Sequence, residues 1–509
     1  MLAITKSFGL DGVTGYPIDV EVDINNGLPT LDIVGLAGTA IKESKERVRS
    51  AIKNSGYLFP TKKITINLAP ADTKKDTPIY DLAIALGIMQ SAGTIKTGAS
   101  KEYILVGELS LDGSLRHVKG VLPLIISAVQ QGYKKFIVPK ENGKEASFVE
   151  GIEVYAMENL RNVCALLSGE PFEKVTYSHF ENKRFENKNL FDFKDVKGQV
   201  VAKRALEIAV SGGHNAIMVG PPGSGKTMLA KCVPSIMPDM TFDEAIEVTK
   251  LHSIAGILDN NEGIVGVRPF RSPHHTATIP ALVGGGAYSK PGEVSLAHNG
   301  VLFLDETPEY KRQALETLRQ PLEDKMITIA RAQRTVTYPA NFMLICSMNP
   351  CPCGNYGSKT NECKCTPQQI RNYHAKLSGP LMDRIDLHID VDSVSYGEFR
   401  SEVEEEPSKT IKERVDKVRK IQLERFKNDG IFTNADMSNA LIKKYCKIDD
   451  KCEKMLEQAF KMLNLSARAT NRILKVARTI ADMDGAINIE QKHLAEAIQY
   501  RSLDKKYFD

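Results

Sequence analysis

The sequence predicts an α/β chain in three parts: an N-terminal α/β domain, a second α/β domain built round a phosphate loop, and a helical C-terminal region. Strand-like alternations, IDVEVDI, KKITINL, YILVGEL and KKFIVPK, recur over residues 1–170 between helical patterns. Further on, the apolar run AIMV leads into GPPGSGKT at 220–227 and then into the helical MLAKCV. From residue 393 the apolar residues recur mostly at helical spacing.

A chain of 509 residues is too long for one core, and domains of roughly 100–200 residues predict about three. With 42% hydrophobic and 26% charged residues the composition is that of a globular protein, which a collagen-like or disordered chain would not show. No apolar run approaches the ~20 residues of a membrane span. The N-terminus, MLAITKSFGLDGVTGYPIDVEVDI, alternates like a strand and lacks the layout of a signal peptide. Together with nine cysteines, this leads to the expectation of a cytoplasmic protein with reduced thiols. Net charge is only +4, so nucleic-acid binding cannot be argued from global charge and any basic surface must be local.

Residues 1–170 hold the helical patterns TAIKESKERVRSAIKNSG and VLPLIISAVQQGY between the strands. Residues 171–195, PFEKVTYSHFENKRFENKNLFDFKD, are polar, charged and aromatic without a period, which suits a linker. The second α/β domain is expected over 196–392. The helical region over 393–509 opens with the charged amphipathic stretch EEEPSKTIKERVDKVRKIQLERF.

GPPGSGKT fits the phosphate-loop pattern: Gly220, Pro221, Pro222, Gly223, Ser224, Gly225, Lys226 and Thr227. Its glycines let backbone N–H groups curl round phosphate oxygens, and the following helix adds its dipole. Lys226 is expected to neutralise the β- and γ-phosphates of ATP, and the Thr227 hydroxyl to ligate Mg²⁺. GVLFLDE (300–306) reads as a buried strand that delivers Asp305 to the Mg²⁺ shell and Glu306 to the attacking water. FMLICSMN (342–349) brings Asn349 to the end of another strand, as a water-orienting amide or an ordinary turn residue before Pro350. In GPLMDRIDLHIDV (379–391), Arg384 has two readings: a surface pair with Asp383 or Asp386, or an arginine finger reaching a neighbouring subunit's γ-phosphate.

DVKGQ, GPPGSGKT, FRSPHHT, GGGAYSKPGEVSLAHNGVLFLDE, LMDRIDL and LSARATNRILKVARTIAD together resemble the YifB/ComM family of magnesium-chelatase-like AAA+ ATPases, over nearly the whole chain. The resemblance implies a homohexameric ring with ATP between subunits, acting on branched or single-stranded DNA as a branch-migration motor. It makes 220–227 the Walker A loop, Asp305 and Glu306 Walker B, Asn349 sensor 1 and Arg384 the arginine finger. Arg468 matches the sensor-2 arginine, with Arg472 the competing choice, and Val196 to Gln199 sit where this class contacts adenine. Thr307 departs from the leucine more usual after the acidic pair. The alternative is a magnesium-chelatase-type subunit that remodels a protein partner.

The N-terminal domain resembles the Lon protease fold through TKKDTPIYDLAIALG (73–87) and the stretch from GELSLDG onward. The nucleophile position holds Ile79 and the lysine position Leu124, and neither can form a Ser–Lys dyad. A non-proteolytic scaffold is therefore expected.

Cys351, Cys353, Cys363 and Cys365 form two C-x-C pairs in a short polar loop directly after Asn349. Four thiolates at this spacing suit one structural Zn²⁺, and free thiols are the alternative. His274 and His275 are read as interface or fold residues. KMITIARAQRTVTYP (325–339) reads as a hairpin whose Arg331 and Arg334 are candidates to meet DNA phosphates, or else to be solvated or paired across subunits. Arg268 and Arg271 are a weaker second pair.

Overall fold

The computed structural model describes residues 2–71, 75–181, 191–286, 289–331, 334–357, 362–393, 396–400, 404–463 and 465–501, without the side chains of residues 331, 334, 398 and 399. The chain forms two compact units: Met1–Arg184 with Thr241–Gly266, and Phe185–Met240 with Val267–Asp509.

The first unit is built on a seven-stranded sheet. Its strands are β1 (Leu2–Asp11), β2 (Thr14–Asn25), β3 (Thr30–Val34), β4 (Lys63–Ala69), β5 (Tyr103–Leu105), β6 (Lys135–Pro139) and β7 (Glu153–Met157), in the order β3-β4-β2-β1-β5-β6-β7. β1 and β2 form an antiparallel hairpin in register from Leu2↔Asp23 to Asp11↔Thr14, and β2 is antiparallel to β4. The remaining pairs are parallel. Alternation in β2 and β4 sends Ile18, Val20, Val22, Ile64, Ile66 and Leu68 into the core.

The helix Asp81–Ser91 packs on β1, β2 and the helix Thr39–Asn54, and all its residues are buried. That explains why DLAIALGIMQS carries no polar stripe. Asp81 opens this helix inside the core, and burial pushes its carboxyl up to about 6 against the opposing pull of Arg47, whose Nε lies 2.9 Å away. Ile79 and Leu124 are both buried and apolar.

The helix Phe242–Ala255 lies in sequence within the expected second domain, 196–392, but packs in the first unit. Two physical reasons account for this departure. Its Ala245, Val248 and Leu251 are buried, and the helix packs on Val121–Gln130. Its Ser253 hydroxyl also accepts from Gly120 N (3.1 Å) and donates to Glu145 Oε2 (2.8 Å). Burial pushes the Glu145 carboxyl up, and Asn142 Nδ2 (2.6 Å) and Leu122 N (3.3 Å) also donate to it. Of the expected linker, residues 182–190 lie outside the described residues.

The second unit holds a parallel five-stranded sheet. Its strands are β8 (Ala216–Val219), β9 (Phe270–Arg271), β10 (Val301–Leu304), β13 (Met343–Met348) and β14 (Leu387–Asp390), with the separate hairpin β11 (Met326–Arg331) and β12 (Arg334–Pro339) between β10 and β13 in sequence. The sheet order is β9-β10-β13-β8-β14. β8, β10 and β13 are buried along their whole length, as expected of strands covered on both faces. The helices after residue 407 share this core instead of forming a separate body: Val415, Ile473, Val476 and Ile480 bury into one cluster with Ala205, Leu206 and Val233. The apolar stripes of Ser408–Arg425 and Ala467–Met483 require that cover. Among the described residues no helix is long and apolar enough to cross a membrane.

Removing the Ser253 hydroxyl leaves Gly120 N without its buried side-chain acceptor and takes from Glu145 Oε2 the shorter of its two bonds, the other coming from Leu122 N. Ser253→Ala is expected to destabilise the first unit by about 1–3 kcal/mol, read as faster hydrogen exchange across Val121–Gln130. Unchanged exchange would mean that the hydroxyl is dispensable there.

Candidate functional site

The residues 220–225 join the carboxyl end of β8 to the helix Lys226–Ile236. Gly223 and Gly225 hold left-handed backbone (φ 78 and 91), which a side chain would strain. Lys226 folds back under this loop and donates to Gly220 O (2.6 Å), Pro221 O (2.9 Å) and Asn349 Oδ1 (3.2 Å). Burial draws its ammonium down to about 8, against the attraction of Asp305 and Glu306. Gln199, itself left-handed at φ 56, donates through Nε2 to Ser224 O (3.1 Å) and Asp392 O (2.6 Å), while Val196 is buried in the core.

Asp305 and Glu306 follow β10. Thr227 Oγ1 donates to Asp305 Oδ2 at 2.8 Å, so a hydroxyl and a carboxylate converge, a hard-oxygen pair of the kind Mg²⁺ takes. The other Asp305 oxygen accepts from the Ser347 hydroxyl, and Glu306 N donates to both Asp305 Oδ1 (3.1 Å) and Ser347 Oγ (3.2 Å). Glu306 sits in left-handed backbone (φ 49) with its carboxylate largely in solvent. Thr307, fully buried, donates to the Leu304 and Ser347 carbonyls (2.9 and 3.0 Å), which ties the ends of β10 and β13 together. A leucine at 307 would lack that tie.

Two residues near the acidic pair were not among the expected site residues. Ser347 has a legible signal: it is the polar residue of a buried strand and lies two positions before Asn349, hence on the same face. His275 has none. Its Nδ1 lies 3.8 Å from Glu306 Oε2, with the His274 ring tilted against it at 4.1 Å between centroids and Tyr310 edge-on.

Arg384 is nearly buried, and pairs with neither Asp383 nor Asp386. Its guanidinium bonds to Glu323 and to Pro380 O (2.7 Å), and its Nε is buried without a hydrogen-bond partner among the described residues. Asp386 instead takes Arg472 (2.5 Å) and His214 Nδ1 (3.1 Å), while His214 Nε2 lies 2.8 Å from Thr479 Oγ1. Burial opposes ionisation of Asp386, but Arg472 and His214 outweigh it and hold its carboxyl far below the usual range. Arg472 is thereby engaged with β14, whereas Arg468 is exposed and acts electrostatically on Glu323. Arg384, Arg468, Arg472, Lys325 and Lys475 line one cavity of about 660 Å³.

The four loop cysteines converge. All four sulfurs lie within 4.8 Å of one another, with Cys351–Cys353 at 3.4 Å, Cys351–Cys363 at 3.7 Å and Cys353–Cys363 at 3.6 Å. These are thiols, not disulfides. The hairpin expected over 325–339 is present, in register from Met326↔Pro339 to Arg331↔Arg334, but the side chains of Arg331 and Arg334 lie outside the described residues. Arg268 and Arg271 are taken up within the unit: Arg268 donates to the carbonyls of Pro238, Asn299 and Asp239, and Arg271 pairs with Glu293 at 2.6 and 2.8 Å.

Three family descriptions match consecutive parts of the chain: subunit ChlI of Mg-chelatase over residues 20–142, magnesium chelatase subunit ChlI over 192–399, and its C-terminal part over 405–501. The chain is 44% identical to competence protein ComM of Haemophilus influenzae over 99% of this chain and 98% of that protein. It is 43% identical to the uncharacterized protein YifB of Escherichia coli over the same shares. A part covering 28% of the chain is 31% identical to Lon protease 2 of Bacillus subtilis, over 25% of that protein.

An ammonium held at about 8 by burial is expected to gain a proton when phosphate charge arrives. Lys226 is the group concerned, and because its value is lowered the uptake grows as pH rises through 8. ATP binding at pH 8.5 should therefore take up protons, measured by calorimetry in buffers of different ionisation heat, and Lys226→Met should abolish the uptake. Equal uptake in the variant would assign it to another group.

Proposed function

The chain belongs to the ComM/YifB family of magnesium-chelatase-like AAA+ ATPases, with a Lon-like N-terminal part, and on that premise we propose that it is a ring-forming motor that hydrolyses ATP to drive branch migration of DNA. The observation that carries the ATPase chemistry is the convergence of Lys226, Thr227, Asp305 and Asn349, with Glu306 beside them, at the ends of β8, β10 and β13. The DNA reading rests on a full-length relative named as a competence protein.

In this reading the loop 220–227 cradles the phosphates and Lys226 neutralises them. Thr227 and Asp305 would hold Mg²⁺, which when bound would shield phosphate charge. Glu306 takes the proton of the attacking water and Asn349 orients that water. His275, 3.8 Å from Glu306, helps set the direction of its carboxylate. In this reading Arg384 and Arg468, which line one cavity, act as the arginine finger on the neighbouring subunit's nucleotide in a homohexamer and as the sensor-2 arginine. Arg472, bonded to Asp386, holds the helical region against β14. Arg331 and Arg334 at the hairpin tip meet DNA phosphates, the four cysteines bind one structural Zn²⁺, and the Lon-like unit is a scaffold without protease activity. The working compartment is the cytoplasm.

A second reading, an ATPase subunit that remodels a protein partner as a chelatase does, is favoured by the three chelatase family descriptions. A branch-migration assay on synthetic junctions with and without ATP separates the two. ATP-dependent strand exchange supports the DNA motor, and ATPase activity indifferent to DNA points to the protein partner.

Glu306→Gln is expected to keep ATP binding and to lose roughly 10²–10⁴-fold in turnover; turnover at the parent rate would remove Glu306 from its role. Mixing inactive Arg384→Ala with inactive Lys226→Ala protein is expected to restore some activity at mixed interfaces. No recovery, with mixed rings shown to form, would make Arg384 a structural residue. The Arg331→Ala/Arg334→Ala variant should bind DNA more weakly while keeping basal ATPase and ring size. Its salt dependence should flatten by about 0.7–0.9 per lost contact, and an unchanged slope in intact rings would move the DNA contact elsewhere.

A further inference from the structure

We propose that the four-cysteine loop is a metal clip that holds the Walker A loop in its nucleotide-accepting shape, through the contact of Gly354 with Pro222; this rests on reading the cysteines as a zinc site. The sulfur geometry favours a metal. A tetrahedral Zn²⁺ with bonds of ~2.3 Å sets its sulfurs about 3.8 Å apart, and the pairs among Cys351, Cys353 and Cys363 span 3.4–3.7 Å. A disulfide needs about 2.05 Å. The stretch between the two pairs, GNYGSKTNE, is short and mostly polar, a composition that favours a metal over an apolar core as the means of fixing its shape.

The loop touches the phosphate site at two points. At its start, Asn349 accepts from Lys226, and the next residue, Pro350, accepts through its carbonyl from His374 Nε2 (2.8 Å). In its middle, Gly354 lies so close to the Walker A loop that a Cβ there would sit 2.4 Å from Pro222 Cδ, and its φ of 81 also excludes a side chain at low cost. Cys351 fixes that approach. It is fully buried, its carbonyl accepts from Gly354 N (3.0 Å) and its sulfur accepts from Tyr356 N (3.3 Å). At the far end, Thr366 follows Cys365 directly and caps the helix Pro367–His374 in a reciprocal box with Gln369, and that helix returns His374 to Pro350.

The metal would be a second tie across this circuit, beside the bond of His374 to Pro350. With it, Cys363 and Cys365 are held to Cys351 and Cys353, and Gly354 is pressed on Pro222. Without it, four thiol groups that attract each other weakly leave the middle of the loop free to lift from the phosphate loop. Zinc content and ATP affinity are thereby linked although no cysteine touches nucleotide.

The test measures zinc by elemental analysis and ATP affinity by displacement of a fluorescent ATP analogue, on the same preparations of the full chain. The parent and Cys164→Ser, a thiol of the other unit, should carry about one zinc per chain. Cys363→Ser/Cys365→Ser should lose zinc and bind ATP at least roughly tenfold more weakly. Gly354→Ala keeps all four thiols and should weaken ATP binding as well, so the proposal stays testable if the serine variant does not fold. Zinc lost with ATP affinity unchanged, or Gly354→Ala binding ATP like the parent, overturns the clip and leaves the zinc site standing. A parent protein with no zinc and normal ATP affinity overturns both.

Discussion

The ATPase unit depends on one buried ammonium. Lys226 is enclosed by the loop it belongs to, with Gly220 O, Pro221 O and Asn349 Oδ1 as its hydrogen-bond acceptors. A buried lysine charge is costly unless it is met by oriented dipoles or opposite charge. Here the dipoles come from the loop and from the end of β13, and the charge from Asp305 and Glu306 at the end of β10. Three strands must therefore end at one level, and the parallel order β10-β13-β8 is what brings those ends side by side.

Once the strands end together, short polar side chains lock them. Ser347 and Thr307 are buried and small, and each spans β10 and β13: the first to Asp305, the second to the Ser347 carbonyl. They leave Asp305 with one oxygen on Ser347 and the other on Thr227, so both lone-pair faces are directed before any ligand arrives. Glu306 is treated differently. Its backbone is held in the left-handed region by the bonds from its N–H, while its carboxylate is left open toward solvent and His275. A carboxylate left open to water remains able to exchange protons with it.

Elsewhere, buried carboxylates join elements that are distant in sequence. Asp386 links β14 to Arg472 of the helical region and to His214, and its strongly lowered pKa marks an ionised group inside the protein. Glu145, with its pKa raised by burial, joins Ser253 and the turn at Gly120. Breaking one partner in either cluster leaves a buried polar group without compensation. Such clusters specify which segments pack together more than they add net stability.

The sequence by itself determined the phosphate loop, the two acidic residues, Asn349 at the end of its strand and the cysteine pairs, because each is a short-range pattern fixed by local backbone needs. Glycines at 223 and 225 and an apolar strand before Asp305 are legible in a few adjacent letters. It also determined the broad α/β character and the helical C-terminal part. Partnerships over long sequence distances were decided only by the tertiary structure. Arg384 found Glu323 instead of the adjacent aspartates, because the turn after Met382 directs it toward Pro380 O and away from β14. Arg472 took Asp386, the helix Phe242–Ala255 joined the first unit, and His275 met Glu306 from the turn that follows β9. Spacing in a chain says which side chains share a face. Which faces meet depends on the order of strands and on which buried polar group needs a partner, and no local window of sequence contains that.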